Sequence, residues 1–190
     1  MADLARIPEE HYTYTEYKQW QLDEGERYEL IEGEPHMMSA PNDQHQAISL
    51  ELSRQFANFL RGKPCKLRVA PYDVRLFYEE DESDDTVVQP DLSVICEQSK
   101  LGEEGCRGAP DMVIEILSPS NSNLEMFRKV NLYMSAGVRE YWVVDGATKT
   151  VFVYIFEGEG CRLFRHTAEK PLEAGILPGL AINLADVFAQ

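Results

Sequence analysis

The chain has 190 residues, with 33 acidic against 18 basic side chains and a formal charge of −15, a length that suits one domain with a real core. It contains no 18-residue apolar run and no basic stretch leading into an apolar one, which argues against a membrane span or signal peptide and points to a cytoplasmic protein. Cys65, Cys96, Cys106 and Cys161 form no CxxC pair, so neither structural zinc nor a disulfide framework is expected, and Cys96, inside an apolar run, reads as a free thiol acting as a small hydrophobe.

Thr13 or Thr15 can cap a short helix reaching Trp20 and Leu22. Residues 27–31 and 35–38 then predict a hairpin turning at Glu32 and Gly33, and Asn42 can cap a longer helix that ends at Gly62. Ile48, Leu52, Phe56, Phe59 and Leu60 recur there at the three- and four-residue spacing of a buried stripe. Strands are expected at 66–70 and 73–78, followed by the acidic run 79–85, whose charge density predicts a solvated, mobile loop. Two apolar runs, 92–96 and 112–117, read as buried strands forming a hairpin through the glycine-rich stretch 101–108. A second long helix, capped by Ser120 or Asn121 and closed by Gly137, offers Leu124, Phe127, Val130, Leu132 and Met134 as apolar surface. Residues 139–144 return to strand, 150–156 and 161–165 predict a terminal hairpin, and 184–188 a last short helix. The sum is one mixed α+β domain over residues 1–190, with a core of about 27–156 in which helices flank a central sheet.

Chemistry concentrates in the two central runs. If their connection centres on Glu103, Asp91 and Glu115 lie twelve residues either side of it and face each other on one face of the sheet. Two carboxylates side by side repel unless a cation or proton sits between them, and a divalent ion would satisfy both. Ile114 and Ile116 flank Glu115, so its carboxylate stands within a strand, where an unpaired charge is seldom tolerated. A plainer reading stays open: acidic residues beside strands are common, and Asp after Pro is an ordinary turn residue. Lys129, on the next helix, can reach the same end of the sheet and position a water. With Glu125 four residues earlier, it reads on its own more readily as an exposed helical ion pair.

The ordered set Glu29-Leu30-Ile31-Glu32-Gly33, His45, Pro90-Asp91, the run PDMVIEILSPS from Pro110 to Ser120, Lys129, Tyr133 and Gly137-Val138-Arg139-Glu140-Tyr141-Trp142 resembles the Uma-two family of restriction endonucleases. That family is similar to the PD-(D/E)xK nuclease superfamily. The resemblance, over about residues 28–154, implies a restriction-endonuclease-like core: a central mixed β-sheet flanked by helices in the order αβββαβ, here with extra β-hairpins. It implies that Asp91 and Glu115 are metal ligands, that Glu29 is the upstream acidic residue, and that Lys129 is the catalytic lysine. The superfamily's lysine two positions after the acidic residue is absent, since Leu117 stands there, and Lys129 is its replacement from the following helix. Glu125 stands where the family usually has Asp. His45 matches a recurrent family histidine, and reads equally as an exposed or capping-turn histidine.

The activity so implied is hydrolysis of DNA phosphodiester bonds with Mg²⁺ or Mn²⁺, hard ions suited to oxygen ligands, by a homodimer whose two sites cut two strands. The charge of −15 favours a rival, a catalytically inactive nuclease fold serving as a binding or interaction module, because DNA affinity rests on Lys and Arg at phosphates. Arg61, Lys63, Lys66 and Arg68 form a local basic patch. A serine-based hydrolase using Ser118 or Ser120 has no GxSxG elbow, and the chain has no GK[ST] phosphate loop.

Overall fold

The computed structural model describes residues 11–118, 123–158 and 160–189, with residues 123–125 described by their backbone alone. The expected caps Ser120 and Asn121 and the side chains of Leu124 and Glu125 lie outside the described residues. Thr13 opens α1 (Tyr14–Tyr17) through a capping box in which its backbone N–H donates to Glu16 at 2.8 Å. This helix stops at Tyr17 rather than running to Leu22, because Trp20 folds back edge-on against the rings of Tyr12 and Tyr17. A tight hairpin follows, β1 (Tyr28–Ile31) and β2 (Glu34–Met37), turning at Glu32 and Gly33 as expected. Asn42 then caps α2 (Asp43–Leu60) by accepting the backbone N–H of His45 at 2.8 Å.

Beyond α2 come β3 (Lys66–Val69), β4 (Val74–Arg75), β5 (Val87–Val88), β6 (Leu92–Ile95), β7 (Leu101–Gly102), β8 (Gly105–Arg107) and β9 (Met112–Ile116). Then follow α3 (Asn123–Ala136), β10 (Glu140–Asp145), β11 (Thr150–Glu157), β12 (Gly160–Thr167), β13 (Leu172–Glu173), β14 (Ala181–Ile182) and α4 (Leu184–Val187). The central sheet runs β12-β11-β10-β9-β6-β3, antiparallel except for the parallel β9–β10 pair. A second sheet, β2-β1-β5-β4-β8-β7, gathers the extra hairpins. Strands of two or three residues carry no periodic signal, which is why β5, β7 and β8 are invisible in the sequence. The predicted 73–78 strand is cut after Arg75, whose guanidinium donates to the Glu79 carbonyl at 2.8 Å and closes a turn.

Each face of the central sheet has its own cover. Ile48, Leu52, Phe56 and Leu60 of α2 pack on Leu92, Val94, Met112, Ile114 and Trp142, and the C-terminal segment around Leu180, Leu184 and Val187 joins them. Phe56 meets Trp142 edge-on at 5.7 Å. The opposite face, with Ile95, Val113, Tyr141 and Val143, is covered by α3 through Leu132 and Tyr133 and by the second sheet through Val74, Leu76 and Val88. Glu140, wholly buried, accepts from the Trp142 indole at 2.7 Å and from the Ile176 backbone at 2.8 Å, which ties the C-terminal segment to the sheet.

Two expectations are corrected. Cys96 is joined to Cys65 by a disulfide rather than being a free thiol. β3 and β6 pair with Lys66 opposite Ile95, so the next pair outward brings Cys65 and Cys96 together. Of the other two, Cys106 is buried and Cys161 exposed, both as free thiols. The acidic run is also no freely solvated loop. Asp84 is buried and paired through both oxygens with Arg75, whose guanidinium lies between the rings of Tyr14 and Tyr78 at 3.9 and 4.4 Å. A buried guanidinium requires a carboxylate partner. The backbone of the run is held as well, by Tyr14 N–H donating to Asp84 at 2.7 Å and Gly33 N–H to Asp85 at 2.9 Å.

Candidate active site

β6 and β9 pair antiparallel, Leu92 opposite Ile114 and Val94 opposite Met112. Carried one residue outward, that register sets Asp91 against Glu115, on the same face as Ser93 and Val113. This is the face covered by α3 and the second sheet. Asp91 is held by the strand it faces: its Oδ2 accepts the Ile116 backbone N–H at 2.7 Å. The same oxygen lies 3.2 Å from Nε2 of His45, one turn into α2.

Three elements converge on Glu115. Lys129 and Tyr133, four residues apart and so on one face of α3, both reach Oε1 of Glu115, the ammonium and the phenol each at 2.7 Å. Lys129 also donates to Glu29, at 3.1 Å to Oε1 and 3.0 Å to Oε2. Glu29 points inward from β1 and is buried, and its Oε1 accepts the Gln89 backbone N–H at 3.0 Å. Lys129 thus bridges two carboxylates from different sheets. Leu117 packs against the apolar cluster beneath α3, which leaves the lysine to enter from the helix.

Electrostatics follow from this crowding. Burial, relieved in part by Lys129 and reinforced by the charges of Glu29 and Asp91, pushes the Glu115 carboxyl up to about 7. Burial opposes the Lys129 ammonium, but Glu115 and Glu29 outweigh it and hold its pKa above the ordinary lysine value. Burial, then Glu115 and Glu29, keep the Tyr133 phenol protonated far beyond the usual tyrosine range, so it remains a donor. For His45, burial lowers the pKa while the hydrogen bond and charge of Asp91, with Glu115, raise it further, and the net shift is upward.

Glu29, Asp91 and Glu115 together face one lysine and one histidine, and that surplus of hard oxygen donors suits Mg²⁺ or Mn²⁺. The two protein donors to Glu115 both fall on Oε1, and those to Asp91 both on Oδ2. Oε2 of Glu115 and Oδ1 of Asp91 therefore carry no hydrogen bond among the described residues. Among the described residues no three His, Cys, Asp or Glu side chains stand as a ready metal cage. A Mg²⁺ ion needs none, since it commonly keeps several waters and uses one or two carboxylates. The donor set fits the ion.

All five site residues expected from the sequence are brought to one place, joined by the contacts above. What sequence reasoning missed is the support around them. Tyr133 stands in the ordered sequence set without a role, which its four-residue spacing to Lys129 could have supplied, whereas the backbone donors Gln89 and Ile116 leave no side-chain signal. The side chain of Glu125 lies outside the described residues.

Residues 14–185 match the Uma2 family, described as "Putative restriction endonuclease". The chain belongs to the Uma2 family. Membership carries a nuclease-like function, and a solved structure gives the matching fold. That structure, "a putative nuclease belonging to DUF820" from Anabaena variabilis, superimposes with a TM-score of 0.71 at 23% identity, covering 94% of this chain and 98% of that one. Two uncharacterized proteins of Synechocystis sp. are also similar to this Uma2 chain. One is 25% identical over 146 residues, 76% of this chain and 74% of its own length. The other is 26% identical over 136 residues, 70% and 74%. Among the described residues no helix of this family member is long and apolar enough to cross a membrane.

Proposed function

We propose that this chain is a divalent-metal-dependent DNA endonuclease whose Mg²⁺ or Mn²⁺ is held by Asp91 and Glu115. The observation that supports it most is the pairing of those two carboxylates across β6 and β9 with Lys129 donating to one of them at 2.7 Å. When bound, the ion supplies positive charge that polarises the phosphodiester and lowers the pKa of the attacking water. The chain's own groups do the rest. Ile116 N–H and His45 hold Asp91 through Oδ2, and Tyr133 holds Glu115 through Oε1, which would leave one oxygen of each carboxylate to hold the ion. Lys129, held by Glu29, presents N–H donors to the attacking water or to the oxygens that gain charge at phosphorus. In this reading residues 1–190 act as one unit, as a homodimer in the cytoplasm, with one site for each strand of a duplex.

One observation favours the inactive-module reading. Lys129 already sits between Glu29 and Glu115, where it satisfies part of the charge an ion would satisfy. Calorimetric titration of Mn²⁺ and plasmid cleavage, in wild type, Asp91→Asn and Glu115→Gln, separate the two readings. The endonuclease reading expects binding and cleavage in wild type, with cleavage abolished in both variants. Wild type that binds no Mn²⁺ and cuts nothing is the inactive module.

A further inference from the structure

Glu29 and Ile31 face the core beneath α3, whereas Tyr28 and Leu30 alternate onto the other side of β1, where they meet α1. On that outer side lies an open cleft of about 390 Å³, lined by Tyr14, Tyr17 and Trp20, with Lys18, Asp73 and Glu104. We propose that this cleft binds an organic cation, an alkylammonium or guanidinium group, seated on the rings of Tyr17 and Trp20 with its charge against Asp73. The proposal is independent of the nuclease reading.

The carboxylate is built into place. The Asp73 side chain accepts from Gln89 Nε2 at 2.8 Å through Oδ1, and the Tyr17 phenol, which donates to the Tyr28 carbonyl at 3.1 Å, lies 3.4 Å from the same oxygen. Among the described residues Oδ2 has no partner. The Asp73 backbone is clamped too, since its carbonyl accepts the Cys106 N–H at 2.8 Å. Gly105, at φ +139, passes so close that a Cβ there would stand 2.4 Å from that carbonyl, so the clamp requires glycine. Burial raises the Asp73 pKa above its ordinary value, which means that a cation beside it would relieve a cost the fold now bears.

The aromatic wall is equally fixed. Trp20 makes edge contacts with Tyr17 at 5.1 Å, Tyr12 at 5.3 Å and Tyr28 at 6.1 Å. Cations on aromatic faces are already the local chemistry: Tyr14 takes Arg75 at 3.9 Å and Lys18 at 5.1 Å from its centroid. Among the described residues the Tyr17 and Trp20 rings have no such cation. Lys18 does not neutralise Asp73 or Glu104, because its ammonium is bound to Glu82 at 2.6 Å. A nucleotide would stack on the same rings, but its phosphates would meet Glu104. The overall charge of −15 draws cations.

Trp20 in the wall is a built-in reporter, and the second tryptophan, Trp142, is fully buried. Tryptophan fluorescence is followed as spermidine, tetramethylammonium or methylguanidinium replaces NaCl at constant ionic strength, with calorimetry on the same samples. The expected result is a saturable change absent with Na⁺ alone. Asp73→Asn should weaken binding by about tenfold or more and Glu104→Gln by about two- to threefold, with far-UV circular dichroism unchanged. Trp20→Leu, read by calorimetry, should weaken it comparably, and covers the case in which Asp73→Asn does not fold. Tighter binding of a short Lys/Arg peptide than of spermidine would assign a basic polypeptide as the ligand, and the reverse order a free polyamine. Equal binding in wild type and all three variants, or saturation by adenosine but by none of the cations, overturns the proposal.

Discussion

Lys129 spans the gap between α3 and β9 to place its ammonium 2.7 Å from Glu115, yet burial and the charges of Glu29 and Asp91 still lift the Glu115 carboxyl to about 7. The sign of the consequence is fixed. Between the ordinary glutamate value of 4.5 and about 7, the folded chain binds a proton that the unfolded chain has lost, so this group's contribution to stability falls as pH rises through that window. Glu115→Gln removes the effect. In chelator-treated protein, denaturant melts at pH 5 and pH 8 should show the variant gaining on wild type by up to about 3 kcal/mol at the higher pH. A gap that stays constant with pH would mean that Glu115 titrates normally.

Removing Lys129 should expose the opposite problem. Lys129→Met leaves Glu29 and Glu115 as buried carboxylates without their shared cation, a change expected to cost about 3–5 kcal/mol near pH 8. The loss should shrink at pH 5, where Glu115 takes up a proton instead. If Asp91 and Glu115 hold a divalent ion, saturating Mn²⁺ should raise the melting temperature of the variant more than that of wild type, since the ion replaces the missing charge. A smaller Mn²⁺ effect in the variant would show that the lysine and the ion do not share a place.

Asp91 and Glu115 are legible because an antiparallel pair has a symmetric register, once its centre is taken at Glu103, the centre that Leu92 opposite Ile114 gives. The approach of Glu29 is not derivable that way. It depends on β1 lying in a second sheet whose strands β5, β4, β8 and β7 are two or three residues long, too short for any periodicity. Only the family resemblance points to Glu29. The acidic run misled for a related reason: charge density marks a loop, but the one Asp buried against Arg75 is indistinguishable in sequence from its exposed neighbours. Phe59 shows the limit of helical spacing. It lies on the edge of the α2 stripe, half-buried, with the Lys63 ammonium over its ring.

The Cys65–Cys96 bridge was likewise hidden in a register between β3 and β6 that no local pattern announces. It closes a loop of 31 residues, for which chain entropy gives about 3–4 kcal/mol of stabilisation. Oxidised protein unfolded in denaturant should therefore present two reactive thiols, Cys106 and Cys161, and four after reduction. Reduction or Cys65→Ser should lower the denaturant midpoint accordingly. Four thiols in protein purified without reductant would show the bridge to be open.

His45 gives the sharpest separation between a bystander and a working residue. Its Nε2 lies 3.2 Å from the same Asp91 oxygen that accepts the Ile116 N–H, while Nδ1 is buried and without a hydrogen-bond partner among the described residues. A buried ring nitrogen left in that state is poorly explained by packing alone. If the ring serves to aim Asp91 at an ion, His45→Ala should lower Mn²⁺ affinity and DNA cleavage by about 10- to 100-fold, as the loss of a ligand's orienting partner does elsewhere. Stability should change less than in Lys129→Met, because Ile116 still holds the carboxylate. His45→Asn, which can keep a donor near Asp91, should recover part of the affinity. Unchanged Mn²⁺ affinity in His45→Ala would reduce the histidine to a residue of the α2 N-terminal turn, with Asp91 positioned by β9 alone.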